Sequence, residues 1–210
     1  MRRIARASRD QGYVEAVARL FKRIESLLEG VEPAKLPLRV YIAGGAAAYF
    51  HAGARTTRDV DATLSLRLHL PTGLEEAYVD RDGNPASVYL DGNYNDTLGP
   101  FHESAFRVST PWKIAGINPA LVDVRVLAPM DLAISKLGRF SDLDKEDIVA
   151  MAAAGLIDAD VFEKRAKEAL DYYVGHPAMP RRNLADALKL IRANTPSPKR
   201  GSARSQRNLP

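Results

Sequence analysis

The sequence predicts an α/β (α+β) fold, a small mixed sheet flanked by helices and followed by a C-terminal helical part. Two observations lead there. Short β-rich runs fall between Leu38 and Leu127, whereas the chain after Pro129 has helical periodicity. With 210 residues, 46% of them hydrophobic, the chain can bury one substantial core rather than two large independent ones.

From Gln11 to Glu29, Val14, Val17, Leu20, Phe21, Ile24, Leu27 and Leu28 recur at the spacing of one helical face, and Gly30 supplies a stop. Pro33 and Pro37 bracket a linker, and Leu38–Ala43 reads as a buried strand running into Gly44-Gly45. A short helix over Ala46–Ala52 and a strand over Asp59–Leu66 follow. Glu76–Asp80 and Ser87–Leu90 read as strands joined at Asp82-Gly83-Asn84, and the polar stretch Asn93–Ser104 as a loop that can line a substrate cleft. Leu121–Leu127 is a further strand. Helices are expected from Pro129 to about Phe140, from a cap at Ser141 or Asp142 through Ala154, and over Asp158–Val174 and Arg182–Ala193. The expected units are a basic flexible N-terminus (1–10), a core (11–128), a helical region (129–195) and a disordered basic tail (196–210).

Composition narrows the chemistry. No cysteine is present, so disulfides, thiolate metal sites and thiol nucleophiles are excluded, and any metal must sit on oxygen or imidazole ligands. No apolar run approaches the roughly 20 residues needed to cross a bilayer, and Met1–Arg9 lacks the apolar centre of a secretory signal, so a cytoplasmic location is expected. The net charge of +4 and pI of 9.3 come from the ends. Arg2, Arg3, Arg6 and Arg9 at one end and Lys199, Arg200, Arg204 and Arg207 at the other leave residues 10–194 at −4. Such ends fit either nucleic-acid binding by counterion release or simple solvation.

Gly44-Gly45, between a strand and a helix, offers unobstructed backbone amides at a positive helix end, where phosphates rest; a tight turn has the same sequence. Downstream, Arg55-Thr56-Thr57-Arg58-Asp59-Val60-Asp61 puts two carboxylates at i and i+2 of a strand, on one face and about 6–7 Å apart along the backbone. Such a pair can bracket magnesium or manganese, and two ions spaced about 3.5–4 Å serve in-line phosphoryl displacement. Solvated acids at a strand edge, or acids paired with Arg55 or Arg58, are the plainer alternative. Asp123, in the apolar run Leu121-Val122-Asp123-Val124-Arg125, is either a third carboxylate or the partner of Arg125. His51, His69, His102 and His176 have no metal-cluster spacing. Trp112, Tyr89, Tyr94, Tyr172 and Tyr173 fit packing better than base stacking.

Strand, Gly-Gly, short helix and a strand bearing Asp-x-Asp bring phosphate-binding amides and acids into one cleft. In this order and spacing the sequence resembles the nucleotidyltransferases of the DNA polymerase beta superfamily, matching their signature at Gly44, Gly45, Asp59 and Asp61. Arg55-x-Thr57-x-Asp59-x-Asp61 most resembles the AbiEii-type toxins of bacterial toxin–antitoxin and phage-defence systems. So does Lys136, with Arg139 one turn on, before Leu143-Asp144-Lys145-Glu146-Asp147, where a leucine replaces the group's arginine. The similarity covers roughly residues 40–150. It implies a polymerase-beta-like core that transfers a nucleoside monophosphate from a nucleoside triphosphate (NTP) to a hydroxyl. Asp59 and Asp61 would hold the metal, with Asp123 assisting. Gly44, Gly45, Arg55, Thr57, Lys136 and Arg139 would bind the nucleotide, and Asp144 and Asp147 would orient the cations. A tRNA acceptor and an antitoxin partner are implied as well. A small-molecule acceptor of aminoglycoside type, a protein acceptor, and a nucleotide-binding protein without turnover are the alternatives carried forward.

Overall fold

In the computed structural model, residues 10–68, 70–71, 73–91 and 99–196 are described. The basic stretch 1–9, His69, the loop portion 93–98 with Tyr94, and the tail 197–210 lie outside them.

Helix α1 (Gln11–Ser26) opens on Asp10, whose carboxylate accepts from the Tyr13 amide at 3.0 Å and satisfies one of the helix's free donors. Its face of Tyr13, Ala16, Val17, Leu20, Phe21 and Ile24 is buried against the sheet. Flanking that face are Arg19 and Arg23, which donate to the carbonyls of Ala77 (2.8 Å) and Glu75 (3.0 Å) on the edge strand β3 (Glu75–Val79). That edge thus has donors from its own chain instead of a neighbour's.

The six-stranded mixed sheet has the order β3-β4-β2-β1-β6-β5. Its centre is β1 (Leu38–Ile42), antiparallel to β2 (Asp59–Leu64) and parallel to β6 (Val122–Val126). Strand β4 (Pro85–Asp91) runs parallel to β2 and pairs Asp91 with Asp61, while β3 and the two-residue β5 (Thr110–Pro111) form antiparallel edges. The predicted α+β class is what the structure has.

Helix α2 (Gly44–Ala52) follows β1 with one intervening residue and ends at Gly53 in the left-handed region, φ 61°. Ala46, Ala47 and Ala48 are buried, because a helix apolar on nearly every side belongs between layers, here the sheet and α4. Pro129 starts α3 (Pro129–Ser135), which is shorter than the expected run to Phe140. The chain turns through Gly138 and Phe140, and Phe140 has φ 54°, the one positive value at a non-glycine among the described residues. A phenylalanine there carries roughly 1–2 kcal/mol of strain.

Helix α4 (Asp142–Ala153) starts with a reciprocal capping box in which Ser141 Oγ accepts from the Asp144 amide and the Asp144 carboxylate accepts from the Ser141 amide. Helices α5 (Ala159–Asp171) and α6 (Ala178–Asn194) complete the chain. One hydrophobic cluster runs from Tyr13 through the strands to Ile148, Phe162, Leu184 and Ile191, so the sheet and the C-terminal helices share a core across the expected boundary at 128.

A buried ion pair ties α5 to α3. Arg165 donates Nε to Asp131 Oδ1 (2.7 Å) and Nη2 to Oδ2 (2.9 Å), and the same Nη2 donates to Ser104 Oγ (3.0 Å). Ser104 also meets His102 Nδ1 at 2.9 Å, and His102 Nε2 meets Glu168 at 3.2 Å, so the segment after residue 99 is anchored to α5. Asp131 is only 1% exposed, so removing its partner strands a charge. Arg165→Ala should cost about 3–5 kcal/mol in urea unfolding, and the double variant Asp131→Leu/Arg165→Met should recover most of it.

Candidate active site

The first element of the site is a steric one. Gly44 lies at the first position of α2 with φ 57°, and a Cβ on it would lie 1.7 Å from Asp61 Oδ2. No side chain fits there. The Ala43 amide donates to the Asp61 carbonyl at 2.8 Å, fixing the end of β1 on β2 at this level. At Gly45 the nearest atoms to a Cβ would be Thr57 Cβ and Cγ2, at 3.2 and 3.3 Å, which is tight but not forbidden. The start of α2, with its free backbone amides, and the carboxylate of Asp61 therefore lie against each other.

Asp59 and Asp61 project from the same face of β2 into an open cleft of about 1170 Å³. Thr57 Oγ1 donates to Asp59 Oδ1 and orients it. Across the ladder from Asp61 stands Asp91, which also lines the cleft. Burial pushes the Asp61 pKa from 3.8 up to about 6, and the charges of Asp59 and Asp91 push the same way, against Lys136 and Arg139. Three carboxylates thus line one wall of the cleft, and the proton affinity of Asp61 is raised. Among the described residues no three carboxylate or imidazole side chains are gathered into a ready-made cage. Magnesium rarely needs one, since it takes one or two carboxylates and completes its shell with phosphate and water. The Asp59 and Asp61 donors fit that pattern.

The opposite wall carries the cations. Lys136, 6% exposed, holds Asp147 Oδ2 at 2.7 Å and Asp144 Oδ1 at 3.3 Å. Arg139 grips Asp144 with two parallel bonds of 2.9 and 3.0 Å, and Arg55 approaches Asp147 at 3.8 Å. Burial alone would raise the Asp144 pKa, but hydrogen bonds from Arg139 and Ser141 and the charge of Lys136 outweigh it and hold the group well below the usual range. Arg55 Nε and Asp147 Oδ1 are buried without a hydrogen-bond partner, so the cluster is not fully satisfied.

The structure thus brings together Gly44, Gly45, Arg55, Thr57, Asp59, Asp61, Lys136, Arg139 and Asp144 around the cleft, with Asp147 behind them. It does not bring in Asp123. That residue sits opposite Arg39 in the β1–β6 ladder and pairs with Arg125 at 3.5 Å, away from the cleft lining. Arg125 is committed in turn to Ser109. Asp91 lines the cleft instead, as does Ser135, neither of which the sequence singled out, together with Gly99 and Phe101 of the loop expected to line a cleft and with Leu143. The alternating run Ser87–Leu90 ending on an acid was the available signal, but the register that puts Asp91 beside Asp61 is a tertiary fact. His51 donates to the Leu127 carbonyl at 2.7 Å, and Trp112 packs on Phe21 and Phe50, in keeping with packing roles.

A family model described as a nucleotidyltransferase of unknown function (DUF6036) matches residues 18–188, and the chain belongs to that family. The match spans all the cleft residues named above. No curated protein and no solved structure matches the chain. No helix among the described residues is long and apolar enough to cross a membrane.

Two outcomes follow from the contacts. Gly44→Ala should lose more than about 2 kcal/mol in denaturant unfolding, while Gly45→Ala should lose much less, because only the first combines positive φ with a collision. Asp61, with its folded pKa above the unfolded 3.8, contributes stability that is full below pH 4 and lost as the pH rises through about 6. With chelator present, Asp61→Asn should be more stable than the wild type by roughly 1–3 kcal/mol at pH 7.5, several degrees in Tm, with the gap closing toward pH 4. Equal melting temperatures at pH 7.5 would refute the crowding of acids.

Proposed function

We propose that the protein transfers a nucleoside monophosphate from an NTP to a hydroxyl acceptor and releases pyrophosphate. The observation that carries this reading is that the start of α2 at Gly44 lies against the carboxylate of Asp61 in the cleft that Asp59 also lines, which supports a phosphate beside the acid pair. Asp59 and Asp61, with Asp91 beside them, would hold magnesium or manganese. The metal, when bound, would polarise the reacting phosphate and offset charge on the leaving group.

The chain's own residues do the rest. The amides at the start of α2 take phosphate oxygens, aided by the positive end of the helix. Arg139, whose side chain is 75% exposed, can meet the departing phosphates while tethered to Asp144, and Lys136 supplies a fixed point charge deeper in the cleft. Five carboxylates face three cations across the cleft and its support, so a bare triphosphate is repelled and nucleotide binding should depend on divalent cation. An open depression of about 900 Å³ meets the cleft at Thr57 and is lined by Thr56, Arg58, Tyr78 and Ser87, which gives an acceptor a route to the acid pair.

For the acceptor we propose a tRNA, and for the biological setting a cytoplasmic toxin held by a cognate antitoxin. The support is the resemblance of Arg55-x-Thr57-x-Asp59-x-Asp61 and of the Lys136 to Asp147 segment to AbiEii-type toxins. The test is incubation of the purified protein with each labelled NTP, magnesium and total tRNA. Label should enter tRNA, and Asp59→Ala and Asp91→Asn should each reduce transfer at least about a hundredfold, whereas Asp123→Asn should stay within a few fold of wild type. Overexpression should arrest growth, with Asp59→Ala relieving the arrest. Equal transfer by Asp59→Ala would overturn the chemistry; label entering an aminoglycoside or protein instead would overturn the acceptor.

A further inference from the structure

We infer that Phe101 and Leu143 form the nucleobase subsite of the cleft, so that the base of the incoming NTP stacks on the Phe101 ring and lies against Leu143. The inference rests on the nucleotidyltransfer reading and assigns the other end of the same substrate.

Phe101 and Leu143 are the only large apolar side chains among the described cleft-lining residues; the others are glycines, hydroxyls and charges. Leu143 is 46% exposed on the first turn of α4, where burial gains nothing in the folded chain itself. Its neighbour in sequence is Asp144, which Arg139 grips. The apolar surface therefore lies beside the cations of the cleft, which the acid pair also lines.

Phe101 is pre-positioned. One face of its ring is stacked on Phe106, with centroids 5.9 Å apart and planes 19° from parallel, and Phe106 rests on Tyr41 of β1 at 4.7 Å. The segment before it is pinned by Gly99, where a Cβ would lie 2.3 Å from the Ser135 carbonyl, so only glycine lets the chain lie this close to the end of α3. The segment after it is pinned by His102 and Ser104 to Arg165 and Glu168. A half-buried ring held on one face, with its remaining surface in a cleft, loses little freedom when a flat base covers it. A subsite built on an aromatic face and an aliphatic side chain should accept bases by stacking, with purines favoured by area.

The probe set is ATP, GTP, CTP, UTP and inorganic tripolyphosphate, each titrated calorimetrically into the full chain with magnesium and without acceptor. Wild type should bind its preferred NTP at least about tenfold more tightly than tripolyphosphate. Phe101→Ala should weaken the NTP about tenfold and leave tripolyphosphate unchanged, Phe101→Trp should restore NTP binding, and Leu143→Ala should weaken the NTP a few fold. Tripolyphosphate binding reports that the cleft is intact. If Phe101→Ala loses tripolyphosphate too, the exposed Leu143→Ala decides. NTP and tripolyphosphate binding wild type equally, or Phe101→Ala and Leu143→Ala binding the NTP as wild type does, would overturn the subsite and leave the transferase reading standing. An effect of Phe101→Ala confined to the KM of the acceptor would overturn it likewise. Binding of neither probe to wild type would overturn the transferase reading itself.

Discussion

The absence of a side chain at Gly44 is the constraint on which the cleft depends. With φ 57° and Asp61 Oδ2 where a Cβ would be, the β1–α2 junction can close only over glycine, and closing it puts the carboxylate of β2 against the start of α2. Ala43 and Asp61 are joined by a backbone bond at the same level, so the two elements cannot slide apart without losing ladder hydrogen bonds. The consequence is a buried Asp61 beside Asp59 and Asp91, and burial first, then the neighbouring charges, raise its pKa. A core that runs uninterrupted from α1 to α6 is what lets the chain tolerate it.

The cationic wall is built by a second irregularity. Had α3 continued to Phe140, as its composition suggests, Lys136 and Arg139 would lie one turn apart on a helix. The helix stops at Ser135 and reverses through Phe140 at positive φ, which folds Lys136 and Arg139 back onto Asp144 and Asp147 of α4. Lys136 is thereby held by two carboxylates in a nearly dry place. Buried ion pairs of this kind add little net stability. Their effect is to fix where a charge stands, and the strain at Phe140 and the unpaired atoms of Arg55 and Asp147 fit a cluster selected for position over stability.

Local chemistry was legible in the sequence where neighbours in the chain make it. The face of α1, the Ser141 cap, the order β1–α2–β2 and the shared direction of Asp59 and Asp61 all follow from periods of 3.6 and 2 over a few residues. Lys136, Asp144 and Asp147 were legible by their spacing and by the resemblance they carry, and their burial is what the structure adds. What sequence could not supply was pairing between distant strands. Asp123 and Asp91 are each an acid in a β run. Only the register, Asp61 opposite Asp91 and Arg39 opposite Asp123, separates the one in the cleft from the one paired with Arg125. The two-residue β5 is too short for any periodicity, and Phe101 was legible only as part of a polar loop, because its neighbours in the stack, Phe106 and Tyr41, belong together only in three dimensions.

The two kinds of residue differ in what can change. Gly44, Asp59 and Asp61 sit on adjoining regular elements, so any substitution meets either a collision or a lost charge. Phe101, on a segment between strands, and Leu143, on an exposed helix turn, meet neither. The depression at Thr56, Arg58, Tyr78 and Ser87 is likewise open surface. On the proposed reading, base preference and acceptor can change while the chemistry is kept, because the three would be carried by different parts of the fold. In this chain, leucine stands at position 143, where the AbiEii-type motif has arginine. If that residue faces the base, the change removes a charge from the subsite and leaves an apolar contact, altering which nucleotide enters without touching the acids that act on it.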